Sequence, residues 1–247
     1  MRTAIRTAVA ILSCAATLAF AQDYEREKRW ADEVEPGVVV GDAVWIPAAS
    51  GRKFLALYAP AKEAKGALVI VHGAGVHPDH GLIGILRAKL TDMGYTTLSI
   101  QMPVLAADAK HEDYPKVFPD AFDRIARASA WLRERTPAKQ VLVSHSMGAY
   151  MSNAYLDAAA SSPFAAWVCV GRLGPFTGGA RALAQPTLDI YGEQDFPAVL
   201  AGAEARRKAL VGRGSRQTVI AAADHFFVRH EDELARAIDG WLAGALK

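Results

Sequence analysis

Four short stretches of this chain carry residue types that could act together on an acyl group. The first is Ser144-His145-Ser146-Met147-Gly148, directly after the apolar run Val141-Leu142-Val143. A serine is presented as a nucleophile when it sits on a sharp, strained strand-to-helix turn, which needs little bulk two places before and after it. Ser144 and Gly148 meet that need, with Ser144 in place of the usual Gly. A plain strand-to-helix junction with a capping Ser would read the same way, so the other stretches must decide. A serine hydroxyl is a weak nucleophile until a base takes its proton. His225, in Ala223-Asp224-His225-Phe226-Phe227, is the candidate base. A carboxylate that orients the imidazole completes the set, and Asp195 in Tyr191-Gly192-Glu193-Gln194-Asp195 is preferred over Glu193 and Asp189. Finally, His72-Gly73-Ala74-Gly75 follows the apolar run ending at Val71. A Gly-rich turn there can aim backbone N–H groups at a tetrahedral oxyanion. The N–H of Ala74 or Gly75, with that of Met147, is the expected donor pair.

These residues must be positioned by the elements around them. Ala67 to Val71 is a continuous apolar run, as expected of a strand covered on both faces. Thr96 to Ile100, Ala166 to Val170, Thr187 to Tyr191 and Gln217 to Ile220 read as further strands. Between them lie helical patterns: Leu82, Ile83, Leu86 and Leu90; Phe122, Ile125, Ala126 and Leu132; residues 198–211; and Leu234, Ile238, Trp241 and Leu242. Val38 to Ile46 and Phe54 to Tyr58, around Ala49-Ser50-Gly51, suit an opening antiparallel hairpin. The alternation predicts an α/β fold, a mainly parallel sheet flanked by helices in one domain. In such sheets ligands bind at the carboxyl ends of the strands. The His72 turn, Ser146, Asp195 and His225 all fall at strand exits, in the order Ser, Asp, His.

From about Gly37 onward the chain resembles the α/β-hydrolase superfamily, on the stretches HGAG, SHSMG, YGEQD and ADHF and on the order of its strands. Over Leu68 to Pro103 it also resembles a narrower group of exported bacterial proteins of unknown function. That resemblance rests on His72-Gly73, His77-Pro78-Asp79 and Gly94 to Pro103. The superfamily likeness implies a hydrolase of ester-type bonds with Ser146 as nucleophile, His225 as base and Asp195 as orienting acid. It implies no cofactor and supplies no substrate.

Composition narrows the setting. Arg2, Arg6, an uncharged run from Ala8 to Phe20 and Ala19-Phe20-Ala21 make the three parts of a secretory signal over residues 1–21. Its apolar run is short for a membrane span, so no stable membrane insertion is expected after cleavage. Of 28 Lys and Arg and 26 Asp and Glu, the leader takes Arg2 and Arg6 and no acid, leaving 26 of each sign. No basic stripe with interleaved aromatics is left, which excludes nucleic acid as the expected partner. Residues 22–36 read as a charged arm or short helix and 37–247 as the hydrolase domain. Cys169, in an apolar run, reads as buried and inert. His72, His77 and His80 match no common zinc spacing. His72 is expected to brace the oxyanion turn, Asp79 to cap the next helix, and no metal is expected.

The segment between Gly171 and Gln185 is too short to build a cap domain, whereas residues 102–118 could roof the site. Tyr114, Phe176 and Phe226 are the candidate walls for a small ester or acyl substrate. Two other functions fit the same residues: a binding protein that kept the scaffold without turnover, and an acyltransferase acting on an envelope component.

Overall fold

The structure, a computed structural model, describes residues 22–247. The leader read at residues 1–21 lies outside them. An eight-stranded sheet runs β1 (Asp42–Pro47), β2 (Lys53–Ala59), β3 (Ala67–Val71), β4 (Thr96–Ile100), β5 (Gln140–His145), β6 (Ala166–Val170), β7 (Thr187–Gly192) and β8 (Arg216–Ile220) along the chain. In space the order is β1-β2-β4-β3-β5-β6-β7-β8. β1 and β2 pair antiparallel, as does β2 with β4, and every pair from β4 to β8 is parallel. The opening strand is shorter than its apolar run. A 3-10 turn at Glu35–Gly37 and positive φ at Gly41 keep Val38 to Gly41 out of the sheet.

Side chains alternate across the pleat, so each central strand feeds two cores. Val69, Val71, Leu142, Trp167 and Cys169 face α3 (Phe118–Arg133) and α4 (Met147–Ala158). Leu68, Ile70, Val141, Val143, Val168 and Val170 face α2 (Leu82–Asp92) and α6 (Glu231–Ala245). Burial of each such side chain contributes about 1.5–3 kcal/mol, which is why these strands tolerate no polar face. Ala126, expected on the buried side of α3, is exposed, and Ala128 takes that place. α5 (Pro197–Ala209) sets Val199 and Ala203 against Tyr191.

The charged arm folds as α1 (Tyr24–Val34), capped by the Asp23 carboxylate on the Arg26 N–H, and packs Ala31 and Val34 on Leu55 and Leu57 of β2. Among the described residues no helix is long and apolar enough to cross a membrane.

Candidate active site

Because β3, β5, β6, β7 and β8 run parallel, their exits share one edge of the sheet, where Ser146, Asp195 and His225 meet. Ser146 follows β5 with φ 57 and ψ −122, a conformation normally left to glycine. Its neighbours hold it there. The Ser146 N–H donates to Val170 O at 2.9 Å. A Cβ on Gly148 would lie 2.3 Å from His72 O and 2.7 Å from Val71 O, so only glycine lets α4 pack against β3. Ser144, in place of the usual Gly, is fully buried and accepts the Trp167 indole N–H at 2.8 Å.

His225 Nε2 lies 3.0 Å from Ser146 Oγ, and Nδ1 lies 2.6 Å from Asp195 Oδ1. A carboxylate only accepts, so Nδ1 carries the proton and Nε2 of the neutral ring accepts the serine O–H. Asp195 is buried and also takes the N–H of Phe196 at 2.7 Å and of Gly192 at 3.4 Å. The loop carrying the histidine is tightly held. Ala222, Phe227 and Arg229 adopt positive φ, Phe227 is buried, and Asp224 Oδ1 accepts the N–H of Phe226 and Val228. Glu193, the weaker acid candidate, instead accepts the Ala222 N–H at 2.9 Å, tying the two loops together. Asp189 is buried in β7 and paired with Arg206 through contacts of 3.0 and 2.9 Å.

Two further histidines support the site without joining the relay. His145 donates from Nε2 to the His225 carbonyl at 3.0 Å, its ring 4.8 Å from that of His225. Burial, aided by the neighbouring imidazole, pushes its pKa down to about 4, so it stays neutral. His72 is buried with its pKa lowered to about 3 by desolvation. It accepts the Met102 N–H on Nε2 at 2.8 Å and donates from Nδ1 to Gly73 O at 2.8 Å. The peptide unit is planar and trans, so fixing Gly73 O also fixes the opposed N–H of Ala74. Met147 opens α4, and its N–H has no acceptor within the helix.

A cleft of about 610 Å³ opens beside Ser146. Gly73, Ala74, Leu82, Ile83, Ile85, His145, Phe196, His225, Phe226 and Val228 line it, with His80 and Glu231 adding polar groups. Several expected residues lie elsewhere. Gly75 does not border the cleft; Gly73 does, its absent Cβ being 3.2 Å from Ser146 Cβ. Tyr114 is buried in the core, its hydroxyl under Gly75, because the apolar residues of 102–118 are drawn inward rather than laid over the cleft. Phe176 is half-buried against Trp167 at 5.4 Å. Asp79 does not cap α2; it pairs with Arg87 at 2.6 Å. Phe226 alone of the three aromatic candidates lines the cleft, half exposed.

Four contributors were not read from the sequence. Phe196 stacks on His225 at 4.0 Å, and Ile85 and Val228 form walls. A Cβ on Gly171 would lie 3.1 Å from His225 Cε1, so this glycine makes room for the imidazole. Its signal was available, a glycine directly at the exit of β6. Among the described residues no His, Cys, Asp and Glu group could hold a metal ion.

A family model described as protein of unknown function (DUF3530) matches residues 25–116. No curated protein matches the chain by sequence. Solved structures do match in shape. A dienelactone hydrolase from Anabaena variabilis shares 23% identity over 83% of this chain and 97% of its own, with a TM-score of 0.65. A protein from Xanthomonas campestris, described as a serine hydrolase without lid, shares 17% over 85% and 96%, with a TM-score of 0.63. An esterase from Pyrococcus furiosus shares 13% over 83% and 93%, with a TM-score of 0.63. With that strand order, those neighbours and, among the described residues, no separate cap domain, the chain has the α/β-hydrolase fold.

Proposed function

We propose that the chain is a serine hydrolase of carboxylic esters. The observation that carries this reading is the unbroken relay from Ser146 through His225 to Asp195, at 3.0 and 2.6 Å. As Ser146 Oγ attacks the ester carbonyl, its proton passes to His225 Nε2, and Asp195 stabilises the resulting imidazolium. The oxyanion meets the N–H groups of Met147 and Ala74. His225 then protonates the leaving alkoxide as the carbon–oxygen bond breaks, giving an acyl-serine. A water molecule gives its proton to the same nitrogen, attacks the acyl carbon and releases the acid, and Ser146 recovers its proton. The reaction as written uses only this chain's residues and water. The dienelactone hydrolase and esterase among the structural neighbours support the same class.

The apolar cleft favours esters with an apolar acyl or alcohol part. The leader pattern at residues 1–21 supports action outside the cytoplasm.

Turnover of short p-nitrophenyl esters and covalent labelling by a fluorophosphonate test the reading. The expected result is labelling that disappears in Ser146→Ala, with kcat falling by about 10³-fold or more. A folded wild-type protein that neither labels nor turns over would leave a binding protein. Ester products formed with added alcohols would instead indicate acyl transfer.

A further inference from the structure

The oxyanion turn contains Gly73 and Gly75, and Gly75 has φ +67. Two glycines flanking Ala74 leave the turn little rigidity of its own, so its shape must come from outside ties. One tie is His72 on the Gly73 carbonyl. Another comes from α1, the helix packed on β2.

Arg26 forks to two carbonyls, Nη1 to Leu105 O at 3.0 Å and Nη2 to Gly75 O at 3.2 Å. Its guanidinium lies over Trp30, 4.6 Å from the ring centroid, which fixes the fork's plane. The next residue makes a parallel connection. Glu27 is buried and pairs with Arg124 at 2.9 Å, and Arg124 donates to Gln101 O at 2.9 Å. Gln101 and Met102 both reach His72 Nε2, at 3.1 and 2.8 Å. Both carbonyls that bracket Ala74 are therefore connected to α1, Gly75 directly and Gly73 through this chain.

We infer that α1 is a positioning element of the active site and Arg26 its positioning residue, holding the turn where the Ala74 N–H meets the developing oxyanion. The inference rests on the esterase reading. Anchorage of the helix does not need Arg26, since Ala31 and Val34 already seat it on Leu55 and Leu57 and the Asp23 N–H donates to Val104 O at 2.8 Å. The fork is free to act on the turn.

Steady-state kinetics on a p-nitrophenyl ester with Arg26→Gln and Arg26→Lys test this. The expected result for Arg26→Gln is a kcat lower by about 10–100-fold with KM within about twofold, as for a donor displaced from the transition state. Affinity for a trifluoromethyl ketone, whose adduct carries an oxyanion, should fall in parallel. Arg26→Lys keeps the charge and loses the fork, so it should recover part of the kcat; it also carries the test if the Gln variant does not fold. Amide exchange of residues 73–76 should speed up in both variants. A folded variant with wild-type kcat, or one whose loss lies in KM alone, overturns the inference and leaves the esterase reading intact. A wild-type protein without turnover or labelling counts against the esterase reading itself.

Discussion

At Gly171 an absent side chain makes room for the imidazole of His225. Its φ is +57, and a Cβ there would press on His225 Cε1 and Nδ1 at 3.1 and 3.2 Å and on Asp195 Oδ2 at 3.4 Å. Gly171→Ala should therefore push the ring off the serine rather than weaken substrate binding. The expected outcome is a kcat lower by about 10²-fold at nearly constant KM, since misplacements near 1 Å cost on that order; single-turnover acylation rates provide the check. The three side chains that converge were legible because the proposed chemistry restricts each to one residue type, and each stands at a strand exit. Ser146, Asp195 and His225 could be picked by residue type, chain order and position. The residues that shape the site carry no such restriction. Gly73 and Gly75 are two of a kind, and only three-dimensional placement shows that the first lies against Ser146. Tyr114 and Phe176 are large aromatics that satisfy a core as readily as a cleft, and both are drawn inward.

At the scale of elements, the strands and helices were readable from periodicity, and their ends less so. Gly41 and the 3-10 turn trim the opening strand in ways a run of valines does not announce. Nor does pattern reveal what holds α5 to the sheet. Arg206 on α5 is fully buried, pairs with Asp189 of β7 and donates to Gly174 O and Val199 O. Gln217 of β8 also donates to Asp189, at 2.8 Å. This joins α5, β7 and β8 just below the loop that carries Asp195. Asp189→Asn would leave a buried guanidinium without its counter-charge, at a cost of about 3–5 kcal/mol. The expected outcome is a lower urea midpoint by circular dichroism, with the residual folded protein still labelled at Ser146. The 102–118 segment is the element most differently placed from expectation. Met102, Val104, Leu105, Tyr114 and Val117 are all buried, so it is part of the wall behind the turn and not a roof.

For the molecule as a whole, the two buried supporting histidines set an acid limit. His72 and His145 have pKa values of about 3 and about 4 in the fold, against an ordinary 6.5. The unfolded chain binds protons that the folded chain refuses, so stability is full above pH 6.5 and is lost as pH falls towards those lower values. By pH 5 each imidazole should have removed about 2 kcal/mol. Urea midpoints compared at pH 7 and pH 5 check this, and His145→Gln should roughly halve the difference, leaving the share of His72.

The site also draws on distant parts of the chain: α1 and the turn at residues 72–75 come early, the serine at 146 later, and the imidazole at 225 last. During synthesis a ribosome releases them in that order. A nascent polypeptide thus carries its hydroxyl for 79 residues before any base exists to activate it. In the proposed reaction the growing chain is chemically silent, and activity begins only after all eight strands have been made.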